Sequence, residues 1–341
     1  MKTKTTGFVL SCYNQAQYIS ASVESVLNQS RRPDRIVVVD DGSGDGSQDI
    51  VRSFAVQGVE LLETDRLGPS GAFNAGVSAI GTDVVAILAG DDQALPNRLS
   101  RQVQLLERFG VDLIVGLPLI IDENGEPRSD DLCPEFFVQF RVGTGHLLRQ
   151  LFNVSNFLCA PTATFIRKTY LDLGGFRPGL LQLQDFELWV RWASTRRLAV
   201  VDERFVRYRK TPNSLSNPAN DRRMHSERLW VYRHFFDTVS DPVIMSAFLE
   251  DLHRMGRHGH FDRLPDVAML YLGHPDPLIY QIGCEQLLDA CREEAGVARL
   301  AQSGIRLQDI YEIIGGGDIT RDAERDSLLD DLRHLRAGLR G

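Results

Sequence analysis

The feature that most constrains this chain is a series of short, continuous apolar runs, most of which stop at a polar cluster. Phe8-Val9-Leu10 stops at Ser11-Cys12-Tyr13-Asn14, and Ile36-Val37-Val38-Val39 stops at Asp40-Asp41-Gly42-Ser43-Gly44. Val59-Glu60-Leu61-Leu62 is a third run, and Val84-Val85-Ala86-Ile87-Leu88 closes on Gly90-Asp91-Asp92. Between the runs, Ile19, Val23, Val26 and Leu27 recur at helical spacing, and Ile50, Val51 and Phe54 mark another helix. Continuous apolar strands separated by helices predict an α/β fold with a mainly parallel sheet covered on both faces. Ligands of such sheets bind beyond the carboxyl ends of the strands, so the polar clusters are expected to converge on one crevice.

Farther along, Val111 to Leu117 and Thr162 to Ile166 read as strands. Residues 122–160 read as an irregular, acceptor-facing insertion. Gly174-Gly175-Phe176 forms a turn ahead of a helix starting at Gln184-Asp185. Residues 222–313 read as mostly helical, and Gly315-Gly316-Gly317 as a breaker. Leu328, Leu332, Leu335 and Leu339 then form an apolar seam suited to docking on the same chain or, second, to a homodimer. The expected division is residues 1–215, an α/β domain, and 216–341, a helical extension.

The formal net charge of −8 argues against a nucleic-acid partner. It leaves room for a phosphorylated ligand, because backbone amides or a metal supply positive field locally. The five cysteines are odd in number and lack a Cys-x-x-Cys pair, which implies reduced thiols and a cytoplasmic setting. The N-terminal apolar stretch is too short for a signal peptide, and no run of about 18 apolar residues spans a membrane.

Three acidic groups carry the chemistry. The Asp40 to Ser47 loop lacks the Gly-x-Gly-x-x-Gly spacing, and its aspartates repel a pyrophosphate. They suit a hydrogen bond from a base or ribose, with helix capping as the bland alternative for Asp45 and Ser47. Asp91-Asp92 places adjacent carboxylates at a strand end, which calls for a cation or donors; a hard divalent ion is usually held by one or two carboxylates plus diphosphate and water. Asp185 opens a helix, where the dipole favours acids anyway, and is also placed to act as a general base. Glu187 lies about 200° away around that helix. Arg222, Arg223, Arg228 and Arg233 interleave with Leu229, Trp230, Phe235 and Phe236. Such a helix suits packing on the first domain or, second, peripheral contact with the inner face of a membrane.

In order, Val9-Leu10-Ser11-Cys12-Tyr13-Asn14, Val38-Val39-Asp40-Asp41-Gly42-Ser43, Asn74-Ala75-Gly76, Gly90-Asp91-Asp92 and Gly174-Gly175-Phe176 with Gln184-Asp185 resemble the motifs of family 2 glycosyltransferases of the GT-A fold. The resemblance spans roughly residues 5 to 215. It implies a Rossmann-like sheet and a UDP-sugar donor, with Ser11, Tyr13, Asp41 and Asp91 on the nucleotide. It also implies Asp92 on Mg²⁺ or Mn²⁺ and Asp185 as the base of an inverting reaction. The acceptor implied is a saccharide or lipid-linked hydroxyl in polysaccharide or glycoconjugate synthesis. Departures are Gly90 where many members have Asp, Phe73 where many have Arg, Gln184 where many have Glu, and Lys210-Thr211 where many carry His. Arg66 is a candidate substitute for the missing arginine at position 73. Arg191-Trp192 is too close to Asp185 to be the Gln-x-x-Arg-Trp motif of processive members. The rival readings are a sugar nucleotidyltransferase, which lacks its Gly- and Arg-rich loop here, and a non-catalytic nucleotide-sugar-binding module.

Overall fold

A computed structural model describes residues 4–128, 144–211, 221–258 and 260–316. The chain divides into two compact units, Met1–Val243 and Ile244–Gly341. In the first, β1 (Thr6–Cys12), β2 (Arg35–Asp40), β3 (Val59–Glu63) and β4 (Val84–Ala89) alternate with α1 (Ile19–Leu27), α2 (Ser47–Ser53) and α3 (Gly68–Ile80). All four strands pair in parallel, and the apolar runs of β1, β2 and β4 are buried on both faces, as apolar strands covered by helices must be, whereas β3 at the sheet edge leaves Glu60 and Glu63 exposed.

The rest of the sheet comes from β5 (Gln93–Ala94), β6 (Leu113–Ile121), β7 (Thr164–Ile166) and β8 (Leu198–Arg209), in the order β3-β2-β1-β4-β7-β6-β8-β5. The chain steps outward from β1 to β3, then returns to lay β4 on the other side of β1. This reversal is the topological switch point at which open α/β sheets bind ligands. Strand β7 runs antiparallel to both β4 and β6. The helices α4 (Arg98–Phe109), α5 (Thr144–Val154), α6 (Arg167–Asp172), α7 (Gln184–Thr195) and α8 (Asp221–Arg233) complete this part. Two of the strands, β5 and β8, escape the sequence reading. The first has two residues. The second, with its charged stretch Asp202-Glu203-Arg204, loses the apolar continuity that marks β1 to β4. Helix α5 gives order to part of the stretch expected to be irregular.

Gly76 explains how α3 lies against the sheet. A Cβ there would collide with Val9 and approach Val39 Cγ2 to 2.8 Å, so only glycine permits this approach. The apolar side of α8 and the turn after it bury Val231, Tyr232, Phe235 and Phe236. Tyr232 meets Phe152 of α5 and Phe186 of α7 at centroid distances of 5.9 and 5.7 Å, so this basic helix packs its apolar face on α5 and α7.

The second unit is helical throughout its described residues. It comprises most of α9 (Asp241–Arg254), then α10 (Arg263–Leu272), α11 (Pro277–Ala290), α12 (Glu294–Gln302) and α13 (Leu307–Gly316). Ala268, Leu287, Leu300, Ile305 and Ile310 form its core. Helix α13 includes Gly315 and Gly316, so the expected break does not fall ahead of them, and Gly317 and the seam from Leu328 to Leu339 lie outside the described residues. No described helix is long and apolar enough to cross a membrane.

Candidate functional site

The site is built at the carboxyl ends of β1, β2 and β4. Ser11 is the penultimate residue of β1, and its carbonyl accepts the Gly90 N–H at 2.8 Å, which ties the end of β1 to the end of β4. Gly90 is forced. A Cβ there would collide with Gln15 Oε1 and come within 2.9 Å of the Ser11 carbonyl oxygen. An aspartate, which the family pattern leads one to expect at this position, has no room here. The loop after β1 is held from across the crevice. Asn14 N–H donates to Ser43 Oγ at 2.9 Å, Gln15 N–H to Ser47 Oγ at 3.0 Å, and Ala16 N–H to Asp45 Oδ2 at 2.9 Å. Asp45 and Ser47 are therefore loop builders. Tyr13 stays 46% exposed, and the guanidinium of Arg66 stands 5.8 Å from its ring centroid.

The two Asp-Asp pairs lie on strands that flank β1. Asp40 accepts from the Ser43 N–H at 2.9 Å, the Ser43 hydroxyl at 2.6 Å and the Gln48 amide at 2.8 Å. Asp41 accepts from the Thr64 hydroxyl at 2.8 Å and from the Leu67 and Gly68 N–H groups, each at 2.7 Å. It thereby seats the start of α3, leaving about one lone-pair direction for a ligand.

Asp91 and Asp92 are treated differently. Asp92 is 1% exposed; its Oδ1 accepts the Arg209 backbone N–H at 2.8 Å, and its Oδ2 is buried with no partner. Burial and the neighbouring Asp91 carboxylate push the Asp92 carboxyl well above the ordinary range, against the pull of Arg209 and Arg98. Burial also raises Asp91, with Arg209 and a hydrogen bond from Gln15 opposing. Arg209 is the organising cation. It is 4% exposed, donates from Nε to the Asp91 carbonyl at 2.8 Å and from Nη1 to Asp122 and Glu123 carbonyls, and lies 4.6 Å from the Tyr18 ring centroid. A buried carboxylate oxygen without a donor fits a divalent cation, the ligand that would compensate it. No cluster of three metal-ligating side chains forms among the described residues, so Asp92 would share such an ion with diphosphate and water.

Asp185 sits in the first turn of α7, 9% exposed. Its Oδ2 accepts the Asn156 amide at 2.9 Å and its Oδ1 the Phe186 N–H at 2.8 Å. Burial lifts its carboxyl from 3.8 to about 6; the two hydrogen bonds oppose the rise, and the Glu227 carboxylate adds to it. Glu187 is bound by Arg177 Nε at 2.5 Å and by Arg191 at 2.8 and 2.5 Å, which removes it as a competing base.

Two sets of contacts tie the segments on either side of Asp185 and its partner Asn156 to the sheet and to α3. Ser70 of α3 donates to the Leu180 carbonyl at 2.8 Å, and Asn74 binds the Phe176 carbonyl and N–H at 2.7 and 2.9 Å, so α3 holds the segment that enters α7. On the other side, Ile87 of β4 donates to the Ala163 carbonyl, and the buried Arg98 lies within electrostatic reach of both Asp92 and Cys159. The run that starts at Asn156 is thereby anchored to β4 at Ala163. Phe73 packs edge-on against Phe176 with centroids 5.9 Å apart, a hydrophobic contact where the family pattern leads one to expect arginine. The sequence reading missed Arg209, Gln15, Asn156 and Glu227 as parts of the site. Of these, the only local signal was Tyr208-Arg209 near the expected end of the domain.

Residues 8–174 match the family model described as Glycosyl transferase family 2. An uncharacterized glycosyltransferase of Nostoc sp. is 36% identical over 138 residues, 37% of this chain and 43% of that protein. The succinoglycan biosynthesis protein ExoO of Rhizobium meliloti is 36% identical over 115 residues, 33% of each chain. The match thus spans less than half the length of these curated relatives. Among solved structures, S. aureus TarS 1-349 in complex with UDP superposes with a TM-score of 0.55 at 15% identity, covering 91% of this chain and 89% of that one. The fold is therefore of the GT-A type, and residues 8–174 carry the sequence pattern of glycosyl transferase family 2.

Proposed function

We propose that the chain is a non-processive, inverting glycosyltransferase that moves a sugar from a nucleotide-sugar, a UDP-sugar first of all, to a hydroxyl of a saccharide or lipid-linked acceptor. The observation that carries this reading is the pairing of two unlike buried carboxylates. Asp92 presents an unpartnered oxygen at the end of β4, and Asp185 is held with its carboxyl near 6 at the start of α7. Crystals of the TarS fold relative with UDP and with UDP-GlcNAc support the choice of nucleotide. ExoO's part in succinoglycan biosynthesis supports a role in polysaccharide or glycoconjugate synthesis. Ser11, Tyr13, Asp41 and Asp91 are assigned to the nucleotide, with Asp92 on Mg²⁺ or Mn²⁺. The catalytic acids are assigned to residues 1–215, and 216–341 to a helical extension whose seam of Leu328, Leu332, Leu335 and Leu339 docks on the same chain or pairs two copies. The buried free thiols Cys12, Cys159 and Cys284 support a reducing, cytoplasmic setting.

A bound divalent ion supplies positive charge to the departing diphosphate. The chain's own residues do the rest. Asp185 accepts the proton of the attacking hydroxyl, while Asn156 and the Phe186 N–H fix its oxygens in place. With Glu187 held by two arginines, no second free carboxylate stands on α7 to form a covalent sugar, and single displacement inverts the anomeric centre.

Turnover needs Asp185 ionised, so it is expected to rise through about pH 6 and to fall about tenfold per unit below it. Asp185→Asn is expected to cut transfer about 10²–10⁴-fold and leave UDP-sugar affinity unchanged. Stability gives an independent check. A carboxyl raised in the folded state binds its proton more tightly there, so its contribution to stability falls as pH rises from 3.8 to about 6 and is then level. Asp185→Asn should therefore melt at or above the parent temperature at pH 8. A donor panel assayed with Mg²⁺ and Mn²⁺, with product stereochemistry by NMR, tests the reading; a retained anomeric configuration or near-normal transfer by the variant overturns it.

A further inference from the structure

Glu227 lies on α8, outside every motif of the nucleotide site, and is 8% exposed. Its carboxylate accepts three consecutive backbone N–H groups, from Leu181 at 3.0 Å and from Gln182 and Leu183 at 2.8 and 2.9 Å. These three residues lead directly into α7, whose second residue is Asp185. The same segment is gripped from the opposite side by Ser70 and Asn74 of α3. Helix α8 is itself fixed to α5 and α7 through the rings of Tyr232, Phe152 and Phe186. Three amides converging on one carboxylate are too many for a helix cap alone, and each is a charge-assisted bond.

We infer that Glu227 is a positioning residue for the sugar-transfer reaction: by clamping the Leu181–Leu183 amides it sets where the base helix begins and holds Asp185 against the acceptor hydroxyl. This rests on the reading of Asp185 as the base. The clamp also acts through charge. The charged and titratable groups on the elements around the first turn of α7 include Arg149 on α5, Arg177 before α7, Glu187 and Arg191 on α7, and Arg222, Arg223, His225, Glu227, Arg228 and Arg233 on α8. Of these, Glu227 is the one that bears on the Asp185 carboxyl by charge, and it raises it. Arg177 and Arg191 are paired with Glu187. A single residue therefore fixes both the place of the base and part of its proton affinity.

The test uses the full chain as wild type, Glu227→Gln and Glu227→Asp. Three quantities are read: amide hydrogen exchange of residues 181–183, the titration midpoint of the Asp185 carboxyl by ¹³C NMR (assigned with Asp185→Asn), and UDP affinity by calorimetry. Glutamine offers one acceptor oxygen and turns an NH₂ toward the amides. Glu227→Gln is expected to speed exchange at 181–183 about tenfold or more and to lower the Asp185 midpoint below 6, with UDP affinity unchanged. Glu227→Asp keeps the charge, so it should keep the midpoint and recover only part of the protection. Unchanged exchange and midpoint in Glu227→Gln overturn the inference. So does a joint fall in melting temperature and UDP affinity with the midpoint unmoved, and so does loss of cooperative unfolding in both variants. Near-normal transfer by Asp185→Asn is a separate failure: it removes the base, and with it the catalytic meaning of the clamp, whatever the exchange data show.

Discussion

Asp40-Asp41 and Asp91-Asp92 are the same dipeptide at equivalent strand ends, on the two strands that flank β1. The protein uses them in opposite ways. In the first pair, hydroxyls, an amide side chain and backbone N–H groups surround the oxygens, and the carboxylates build the turn into α2 and the start of α3. In the second pair, the dominant partner is the buried cation Arg209, burial raises both carboxyls, and one oxygen of Asp92 is left bare. A saturated pair stabilises the fold, whereas an undersaturated one holds unmet charge that a ligand can complete. Identical residues therefore carry different work, and the donors around them decide which.

The sharpest way to break this contrast is at Asp92. Asp92→Asn removes the charge but preserves the bond from the Arg209 N–H, so transfer is expected to drop about 10²–10³-fold, corresponding to the several kcal/mol a metal contributes. The melting temperature should stay level or rise, and excess EDTA should mimic the loss in the parent; full turnover in EDTA would end the metal assignment. Next in size is Arg209→Ala, which strips the shared cation from two buried carboxylates and three carbonyls. The expected cost is about 3–5 kcal/mol in denaturant unfolding, and a change under 1 kcal/mol would show that the pair needs no counter-charge. Asp41→Asn should do the reverse of Asp92→Asn. It is expected to lower stability by about 1–3 kcal/mol, because an NH₂ faces the Thr64, Leu67 and Gly68 donors, and to weaken UDP binding by about 1.5–3 kcal/mol. If only UDP affinity fell in calorimetry, Asp41 would belong with the second pair. The smallest effect is expected at Arg66→Ala, about 0.5–1 kcal/mol in UDP affinity, since this exposed guanidinium touches the site through the Tyr13 ring.

Much of this architecture was legible in the chain. The apolar runs over Phe8 to Leu10, Ile36 to Val39 and Val84 to Leu88 dictate doubly covered parallel strands, because only burial on both faces tolerates continuous hydrophobicity. The order of polar clusters then placed Ser11, Asp41 and Asp91-Asp92 at one end of the sheet. Where the signal is local it held, as at Gly174-Gly175 for the turn that Asn74 grips; Asn74-Ala75-Gly76, expected as a turn from the family pattern, instead lies inside α3, where Gly76 lets the helix approach β1. The edge of the sheet was less legible, since the charged outer residues of β8 break its apolar run.

The sequence by itself determined which residues have the chemistry to form a site and roughly where along the strands they lie, because strand burial and turn preference are read over a few neighbouring positions. The tertiary structure decided which of those carboxylates are satisfied and which are strained. Asp40 and Asp41 differ from Asp91 and Asp92 through partners 3 to 118 residues away. Asp185 owes its raised carboxyl to burial and to Glu227, and its fixed orientation in part to Asn156, residues 42 and 29 positions distant along the chain (227 − 185 and 185 − 156). Hydrogen-bond saturation and desolvation are properties of what surrounds a group in space, and a one-dimensional pattern does not record who those neighbours will be.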